Sequence, residues 1–205
     1  MTTTQRGLFI VFEGIDGAGK TTQVDLLQRF FTSTGVSCVR SMEPTDGPWG
    51  RKLRASATSG RMSAADELHA FIEDRKEHVR NLIQPALHAG KVVILDRYFY
   101  STIAYQGVKG ADAEAIERSM LSQFPIPDVV FLIDVPVPSG IDRVKSGRGE
   151  TPNGFEQLTG LESARMLFLD MARRHKNIHV LNGSDTIESL HAAVRAVLSA
   201  GTELP

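Results

Sequence analysis

Blocks of apolar and polar positions alternate along this chain in a way that predicts strands and helices in turn. Two near-continuous apolar runs, at residues 91–96 and 128–134, are typical of strands buried on both faces of a sheet. The other predicted strands lie at 8–13, 36–41 and 177–181. Helical periodicity occurs near 20–34, 63–88, 99–107, 112–122, 137–146, 156–175 and 185–199. This alternation predicts a three-layer α/β fold, in which about five parallel strands are flanked by helices.

The composition narrows the class of protein. The chain has 205 residues, of which 41% are hydrophobic and 23% charged, as in an ordinary soluble globule. A net charge of −1 gives no global reason to expect nucleic-acid or membrane binding. Residues 1–7 contain no signal-peptide core and Cys38 is the only cysteine, so we expect the cytoplasm. We predict one domain over 1–205, with a mobile surface loop at the glycine-rich stretch 145–154.

The segment between the first strand and the first helix carries the strongest motif. It reads Gly14-Ile15-Asp16-Gly17-Ala18-Gly19-Lys20-Thr21 and matches G-x-x-x-x-G-K-[ST] in the strand–loop–helix context which that P-loop pattern requires. The glycines let backbone N–H groups converge on a polyphosphate, and the helix N-terminus adds positive potential. Lys20 can reach the β- and γ-phosphates, and the Thr21 hydroxyl can ligate Mg²⁺. We predict a nucleoside triphosphate site at these residues and Thr22, against the alternative of a merely flexible loop.

A second candidate site, Asp96-Arg97-Tyr98, follows the buried strand 91–96. Because ligands of such sheets bind outside the carboxyl ends of the strands, these side chains should emerge beside the P-loop. Asp96 can hold Mg²⁺ through water, and Arg97 can offer a bidentate fork to a second phosphate. The alternative is a surface ion pair. The chain lacks the N-K-x-D motif of guanine-nucleotide switches and the L-S-G-G-Q signature of transporters.

Together these motifs resemble those of thymidylate kinases. Residues 12–23 are similar to the family's P-loop, and Asp96-Arg97-Tyr98 with Ser101 and residues 104–107 is similar to its second signature. Shorter matches in the family's order are Phe71, Asp74-Arg75, 85–87, 127–128 and 134–136, so the resemblance spans roughly 8–175. It implies a P-loop kinase fold with a short lid at approximately 143–155. It also implies Mg²⁺-dependent phosphoryl transfer from ATP to dTMP, and a homodimer.

The resemblance further implies a pocket for dTMP. Asp16 would contact the 3′-hydroxyl of the sugar, Phe71 would stack on the thymine and Arg75 would reach its exocyclic oxygen. Thr102 would bond the base N3, while Tyr105 would crowd a ribose 2′-hydroxyl. The remaining residues of the implied pocket are Glu43, Pro44, Arg97, Ser101 and Gln106. Alternatively, Phe71 could belong to the core and Tyr105 could simply pack between helices.

No arginine lies inside this P-loop, which reads Asp16-Gly17-Ala18 at the relevant positions. The compensating charge must then come from elsewhere, and Arg143, Lys145 and Arg148 lie on or beside the predicted lid. Arg148 matches the family's lid arginine best. The predicted catalytic residues are Lys20, Arg97, Arg148, Arg143 and Asp16. The alternative is a solvated basic surface loop.

Departures from the family pattern bear mainly on the acceptor. The segment 41–50 lacks the Arg-Glu-Pro-Gly-Gly pattern of many bacterial members and has Met42 at the arginine position, for which Arg40 or Arg51 could compensate. Phe168 stands where many relatives carry tyrosine, and the compact lid lacks the usual aspartate before its arginine. Two alternatives therefore stay open: a kinase for another nucleoside monophosphate such as dUMP, and a nucleotide-dependent switch that is not a kinase.

Overall fold

Within the part of the chain that the structure describes, five parallel strands form the central sheet. The computed structural model describes residues 6–60, 62–148 and 154–201, with side chains over 6–56, 60, 62–146 and 158–200. The strands are β1 (Phe9–Glu13), β2 (Cys38–Met42), β3 (Val92–Asp96), β4 (Val129–Asp134) and β5 (Ile178–Asn182). Their order is β2-β3-β1-β4-β5, and every neighbouring pair is parallel. The predicted α/β class is confirmed.

The helices of the described ranges alternate with the strands. They are α1 (Lys20–Ser33), α2 (Pro48–Ser59), α3 (Ala64–His78), α4 (Gln84–His88), α5 (Phe99–Val108), α6 (Ala113–Gln123), α7 (Val137–Arg148), α8 (Gly154–Arg174) and α9 (Ile187–Gly201). A π-helical turn at Val79–Ile83 joins α3 to α4. Within the described ranges, no helix has the length and apolar character needed to cross a membrane.

Side chains of the central strand alternate between two hydrophobic cores, because successive strand residues point to opposite faces. Phe9 and Val11 pack with residues of α5, α6 and α8, whereas Ile10 and Phe12 pack with residues of α1 and α9. Phe12 also pairs with Asp96 across the β1–β3 ladder. The segments that leave β1 and β3 therefore start side by side at the carboxyl edge of the sheet.

One helix is missing from the prediction, since the hydrophobic pattern gives none at 48–59 where α2 lies. Leu53 is the only buried apolar side chain among residues 48–56 of this helix, so an amphipathic period is hardly visible. The local signal is Pro48 in the first turn, a position where the absent N–H costs no hydrogen bond.

The predicted helix 63–88 begins and ends as expected but is not a regular α-helix throughout. The Ser63 side chain caps α3 by accepting from Asp66 N at 3.1 Å, and Gly90 after α4 has a φ of 70°. Between them, Gln84 N donates to Val79 O, five residues back. Pro85 has no N–H to continue an α-helical ladder, which gives a physical reason for the wider π turn at this point.

The predicted mobile loop at 145–154 is wrong at both ends. Helix α7 continues to Arg148, and α8 begins at Gly154. Ser146 lies within this continuation of α7, and its Oγ donates to Asp142 O at 2.8 Å, four residues back. Residues 149–153 of the predicted lid lie outside the described residues.

Candidate active site

The predicted P-loop occupies the connection between β1 and α1, where its glycines meet a demand of the backbone. Gly14, Gly17 and Gly19 have φ of 136°, 77° and 97°. A Cβ on Gly17 would lie 2.0 Å from Gly140 O of α7, so no larger residue fits there. The first turn of α1 thus opens towards the loop without a side-chain cap, and its free N–H groups suit an anion.

Lys20 is the first residue of α1 and is held over the loop. Its Nζ donates to Gly14 O at 3.0 Å and to Ile15 O at 2.9 Å. Burial, with a further contribution from Arg97, lowers the pKa of Lys20 to about 8. Backbone carbonyls are weaker partners for an ammonium than an anionic phosphate, so this cation is poised to exchange them for one.

Thr21 and Asp96 meet at the same edge of the sheet. Thr21 Oγ1 donates to Asp96 Oδ2 at 2.5 Å, which joins α1 to the end of β3. A hydroxyl and a carboxylate are hard oxygen donors of the kind that Mg²⁺ prefers, and that ion usually adds water and substrate phosphate oxygens. Among the described residues there is no cluster of three or more His, Cys, Asp or Glu side chains that could hold a metal. The pair therefore suits a Mg²⁺ ion bound together with a nucleotide.

Arg97 follows β3 in an uncommon backbone conformation, with a φ of 71°. Its N–H donates to Phe12 O at 2.9 Å, while Nη2 donates to Asp16 Oδ1 at 2.7 Å and Nη1 to Ser101 Oγ at 2.8 Å. Non-glycine residues at positive φ are strained and concentrate at functional sites. Although burial opposes it, the surrounding groups, Tyr105 and Asp16 foremost, raise the pKa of Arg97 above its ordinary value, and it stays charged.

Glu13 also lies in this site, although the sequence predicts no role for it. Its Oε1 accepts from Tyr98 N at 2.8 Å and Ser101 N at 3.2 Å, and its Oε2 accepts from Ser101 Oγ at 2.6 Å. The carboxylate thus caps the N-terminus of α5 from another strand. Burial raises the pKa of Glu13 to about 7, although the Ser101 hydroxyl and Arg97 oppose the shift. The only sequence signal is its place directly before the P-loop.

The acceptor-side residues gather around the first half of α5. Arg75 of α3 is 1% exposed, and its Nε and Nη2 donate to Glu43 Oε2 at 2.9 and 2.6 Å. The same Nη2 donates to Thr102 Oγ1 at 3.0 Å. Pro44 follows Glu43, and its carbonyl accepts from Arg54 Nη1 at 2.9 Å. The predicted residues from the loop after β2, from α3 and from α5 are therefore brought together.

Two aromatic residues had alternative interpretations as core. Phe71 is half-buried and belongs to neither hydrophobic core, which leaves its ring available to a ligand. Tyr105 does pack against one core and lies edge-on to Phe168 at 6.2 Å, but its ring also lies 5.4 Å from the Arg97 guanidinium.

Gln106 donates from Nε2 to Glu67 Oε2 at 3.0 Å, and its buried Oε1 has no hydrogen-bond partner among the described residues.

The predicted lid arginines differ in what can be said of them. Arg143, in α7, donates from Nη1 to Gly17 O at 3.4 Å and from Nη2 to Gly183 O at 2.9 Å. It therefore lies directly on the P-loop backbone. Lys145 is exposed, and Arg148 is the last residue of α7 with a side chain outside the described set.

The divergent segment after β2 is held by Arg51, one of the two arginines considered from the sequence, and also by Arg54. Arg40 pairs with Asp25 of α1, and Arg51 Nη1 donates to Asp46 O at 2.5 Å. Arg54 makes more contacts, because its Nη2 donates both to Thr45 O at 2.8 Å and to the Asp46 carboxylate at 2.7 Å. Two arginines of the unpredicted helix α2, Arg51 and Arg54, thus hold this loop.

The sheet is parallel, a glycine loop ending in Lys20 follows β1, and an acidic and a cationic residue, Asp96 and Arg97, lie at the end of β3. These features define a P-loop protein that binds nucleotide phosphates. The family described as thymidylate kinase matches residues 12–194. The "Thymidylate kinase" of Xanthomonas campestris pv. campestris is 45% identical over 201 residues, covering 96% of this chain and 86% of that protein. The corresponding protein of Desulfotalea psychrophila is 41% identical over 186 residues, covering 90% of each.

A solved structure agrees. The crystal structure of thymidylate kinase from Ehrlichia chaffeensis has a TM-score of 0.76 and 31% identity, and the match covers 94% of this chain and 99% of that one. The chain belongs to the thymidylate kinase family. It is accordingly a nucleoside monophosphate kinase, and nothing in the comparisons favours a switch protein.

Proposed function

We propose that this chain transfers the γ-phosphoryl group of ATP to dTMP and gives dTDP and ADP, a step of dTTP biosynthesis. The observation that carries the proposal is the position of Arg97, which contacts Asp16 of the P-loop and Ser101 of the acceptor-side helix. One cation thus stands between a triphosphate site and a pocket lined by Phe71 and Arg75. Phosphoryl transfer needs such positioning and charge neutralisation more than covalent chemistry.

On the donor side, residues 14–22 bind ATP. The backbone amides of the loop and of the α1 N-terminus donate hydrogen bonds to phosphate oxygens. Lys20 exchanges its contacts with two loop carbonyls for contacts with the β- and γ-phosphates. Thr21 and Asp96 hold Mg²⁺, which when bound neutralises charge on the donor phosphates. The 2.5 Å contact between these two side chains supports their sharing one ion.

On the acceptor side, Arg97 binds the phosphate of dTMP and Asp16 its sugar hydroxyl. Phe71 stacks on the base, while Arg75 and Thr102 read its polar edge. Glu43 holds the Arg75 guanidinium through two hydrogen bonds, which supports a fixed direction for base reading. Pro44, Ser101, Tyr105 and Gln106 complete the pocket, and Tyr105 disfavours a ribose 2′-hydroxyl.

Arg148 and Arg143 supply the cationic charge that the P-loop lacks. The contact of Arg143 with Gly17 O supports a role for α7 beside the transferring group. A lid over residues 143–155 would exclude water, which otherwise competes as phosphoryl acceptor.

Two further properties belong to this proposal. The family likeness supports a homodimer, which sedimentation of the purified chain would test. The single cysteine, Cys38, suits a reducing compartment and hence the cytoplasm, which fractionation of the source cells would test.

Release of ADP, measured with each common nucleoside monophosphate in turn, tests the reaction. We expect the largest kcat/KM with dTMP and a lower value with dUMP, and no turnover without Mg²⁺. Equal use of several monophosphates would contradict the assigned acceptor, and release of ADP that does not require any monophosphate would contradict the kinase reaction itself.

A further inference from the structure

A line of buried polar side chains runs behind the candidate acceptor pocket and contains a histidine without a role so far. His78 Nε2 lies 2.9 Å from Ser41 Oγ, and His78 Nδ1 lies 3.0 Å from Glu43 Oε1. The other oxygen of Glu43 accepts both hydrogen bonds from Arg75, which also donates to Thr102. The side chains of His78 and Glu43 are each 4% exposed. Water therefore has little access to the contact between His78 and Glu43, whereas Ser41 is half-buried.

We propose that His78 is a positioning residue for the acceptor site. Its Nδ1–H fixes the Glu43 carboxylate, which in turn aims the Arg75 guanidinium at the base of the nucleoside monophosphate. This inference rests on the proposed function in so far as Arg75 is taken to bind the acceptor base.

The proton on the imidazole follows from its two partners. An ionised carboxylate only accepts hydrogen bonds, so the nitrogen that faces Glu43 must be the donor, Nδ1–H. Nε2 of the neutral ring is then an acceptor, and the Ser41 hydroxyl can donate to it. Glu43 thus selects the tautomer, and the Ser41 hydroxyl, which can donate as well as accept, is compatible with it.

Helix α3 places the proposed positioning residue on the same face as two predicted acceptor residues. Phe71, Arg75 and His78 are separated by four and three positions along the chain and so share one face of α3. Glu43 reaches this face from the loop after β2 and contacts both Arg75 and His78 with different oxygens. The base-stacking ring, the base-reading cation and the proposed positioning imidazole therefore follow one another along this face of the helix.

Loss of the imidazole should change the orientation of the Arg75 guanidinium rather than its charge. Without His78, Glu43 Oε1 loses its donor and the carboxylate can rotate together with the guanidinium that it holds. The Arg75–Glu43 pair would persist, but with a less defined orientation towards the pocket. A purely structural histidine would instead change stability and leave acceptor affinity alone.

Substitution by two amides separates the two ring nitrogens. His78→Asn keeps a donor near the Nδ1 position, whereas His78→Gln places its amide near the Nε2 position and leaves Glu43 without its donor. We expect His78→Gln to raise the KM for dTMP about tenfold, as for a lost buried hydrogen bond, with the KM for ATP unchanged. His78→Asn should remain within about threefold of the wild-type KM for dTMP.

His175→Asn is the matched control, because asparagine keeps an amide near the Nδ1 position and so removes the Nε2 group that contacts Glu117. His175 Nε2 lies 2.5 Å from Glu117 Oε1, a second histidine–glutamate contact, which is half-buried and joins the end of α8 to α6. We expect it to lower the melting temperature and leave both KM values unchanged. If His78→Gln behaves like this control, or if the asparagine and glutamine variants have the same KM for dTMP, the positioning role is overturned.

The assay keeps this inference separate from the proposed function. The wild-type chain is first tested with each monophosphate, and the KM is then followed for whichever acceptor it uses, so a different acceptor would contradict only the assigned substrate. If His78→Gln does not fold, Ser41→Ala tests the same line of contacts by removing the partner of Nε2. A rise of about two- to fourfold in acceptor KM with an unchanged ATP KM supports the role, and an unchanged acceptor KM overturns it.

Discussion

The proposed donor and acceptor sides of the candidate active site are built in different ways. The donor side consists of one continuous loop and helix start, residues 14–22, and its binding groups are largely backbone amides. The acceptor side is assembled from side chains of three segments, and Glu43 and Arg75 are 32 positions apart in sequence. A contiguous backbone site is set by local geometry, whereas a site of separate side chains depends on the whole fold.

Their cations are held differently as well. Lys20 is held by two backbone carbonyls, while Arg75 is held by a buried carboxylate. Carbonyl partners are easily exchanged for phosphate, and a buried ion pair fixes direction instead. Substitutions on the donor side should therefore act mainly on kcat, and those on the acceptor side mainly on the KM for dTMP.

Lys20→Ala tests this division with the largest expected effect. Lys20 would neutralise charge that grows on the transferring group, so its loss should lower kcat by about 10³-fold or more. Circular dichroism and the melting temperature should show an intact fold, and the exposed Lys176→Ala provides a lysine control. Near-normal turnover of the Lys20 variant would remove the P-loop lysine from the mechanism.

The same contrast explains which parts of the molecule could be predicted from sequence. The strands and the P-loop follow from local patterns, since buried parallel strands are continuously apolar and a glycine loop must suit its own backbone. The fold class could thus be predicted, whereas Phe71, Arg75 and Thr102 are predicted as acceptor residues only through the family resemblance. Helix α2 could not be predicted, because its described part buries little apolar surface beyond Leu53.

Glu13 and the Glu43–His78 contact could not be predicted for another reason. Both depend on pairings between segments distant in sequence, and a lone carboxylate or histidine in a sequence does not reveal its partner. Glu13 and Ser101 are 88 positions apart, yet their side chains lie 2.6 Å from each other. Arg54 likewise binds groups of a loop whose conformation no local sequence pattern predicts.

Arg148→Ala should produce the next largest effect and tests whether the donor side is complete without α7. Because no arginine lies in the P-loop, we expect kcat to fall by about 10²- to 10³-fold with little change in ATP affinity. Lysine at this position should rescue only partly, since it loses the planar fork. Arg118→Ala, on the exposed face of α6, serves as control. If neither Arg148→Ala nor Arg143→Ala lowers kcat, the charge comes from another part of the protein.

Arg97→Ala tests the boundary between the two sides. Its guanidinium faces the acceptor phosphate in the proposed arrangement, so dTMP affinity should fall about 10²-fold while ATP affinity changes little. Separate titrations of the two nucleotides measure this directly. Equal losses for both nucleotides, or a loss confined to ATP, would move Arg97 to the donor side of the comparison.

Glu13 physically connects the two sides, because it ends the strand before the P-loop and caps the helix that carries Ser101 and Thr102. Its pKa is raised to about 7 from an ordinary value near 4.5, chiefly by burial, with the Ser101 hydroxyl, Arg97 and Lys20 opposing the shift. A carboxyl group with a raised pKa contributes stability below pH 4.5. That stability is lost as the pH rises towards 7, since the unfolded state releases the proton first.

Glu13→Gln keeps the shape of the side chain and removes this titration. The unfolding free energy of the wild type minus that of the variant should therefore fall between pH 4.5 and 7, by at most about 3 kcal/mol, and stay level above pH 8. Urea unfolding of both proteins at matched pH values measures the difference. A difference that stays level or rises across this window would mean that Glu13 is ionised throughout in the folded protein. Its cap on α5 would then hold the acceptor helix equally well at every pH in this range, and the donor and acceptor sides would not be coupled through its proton.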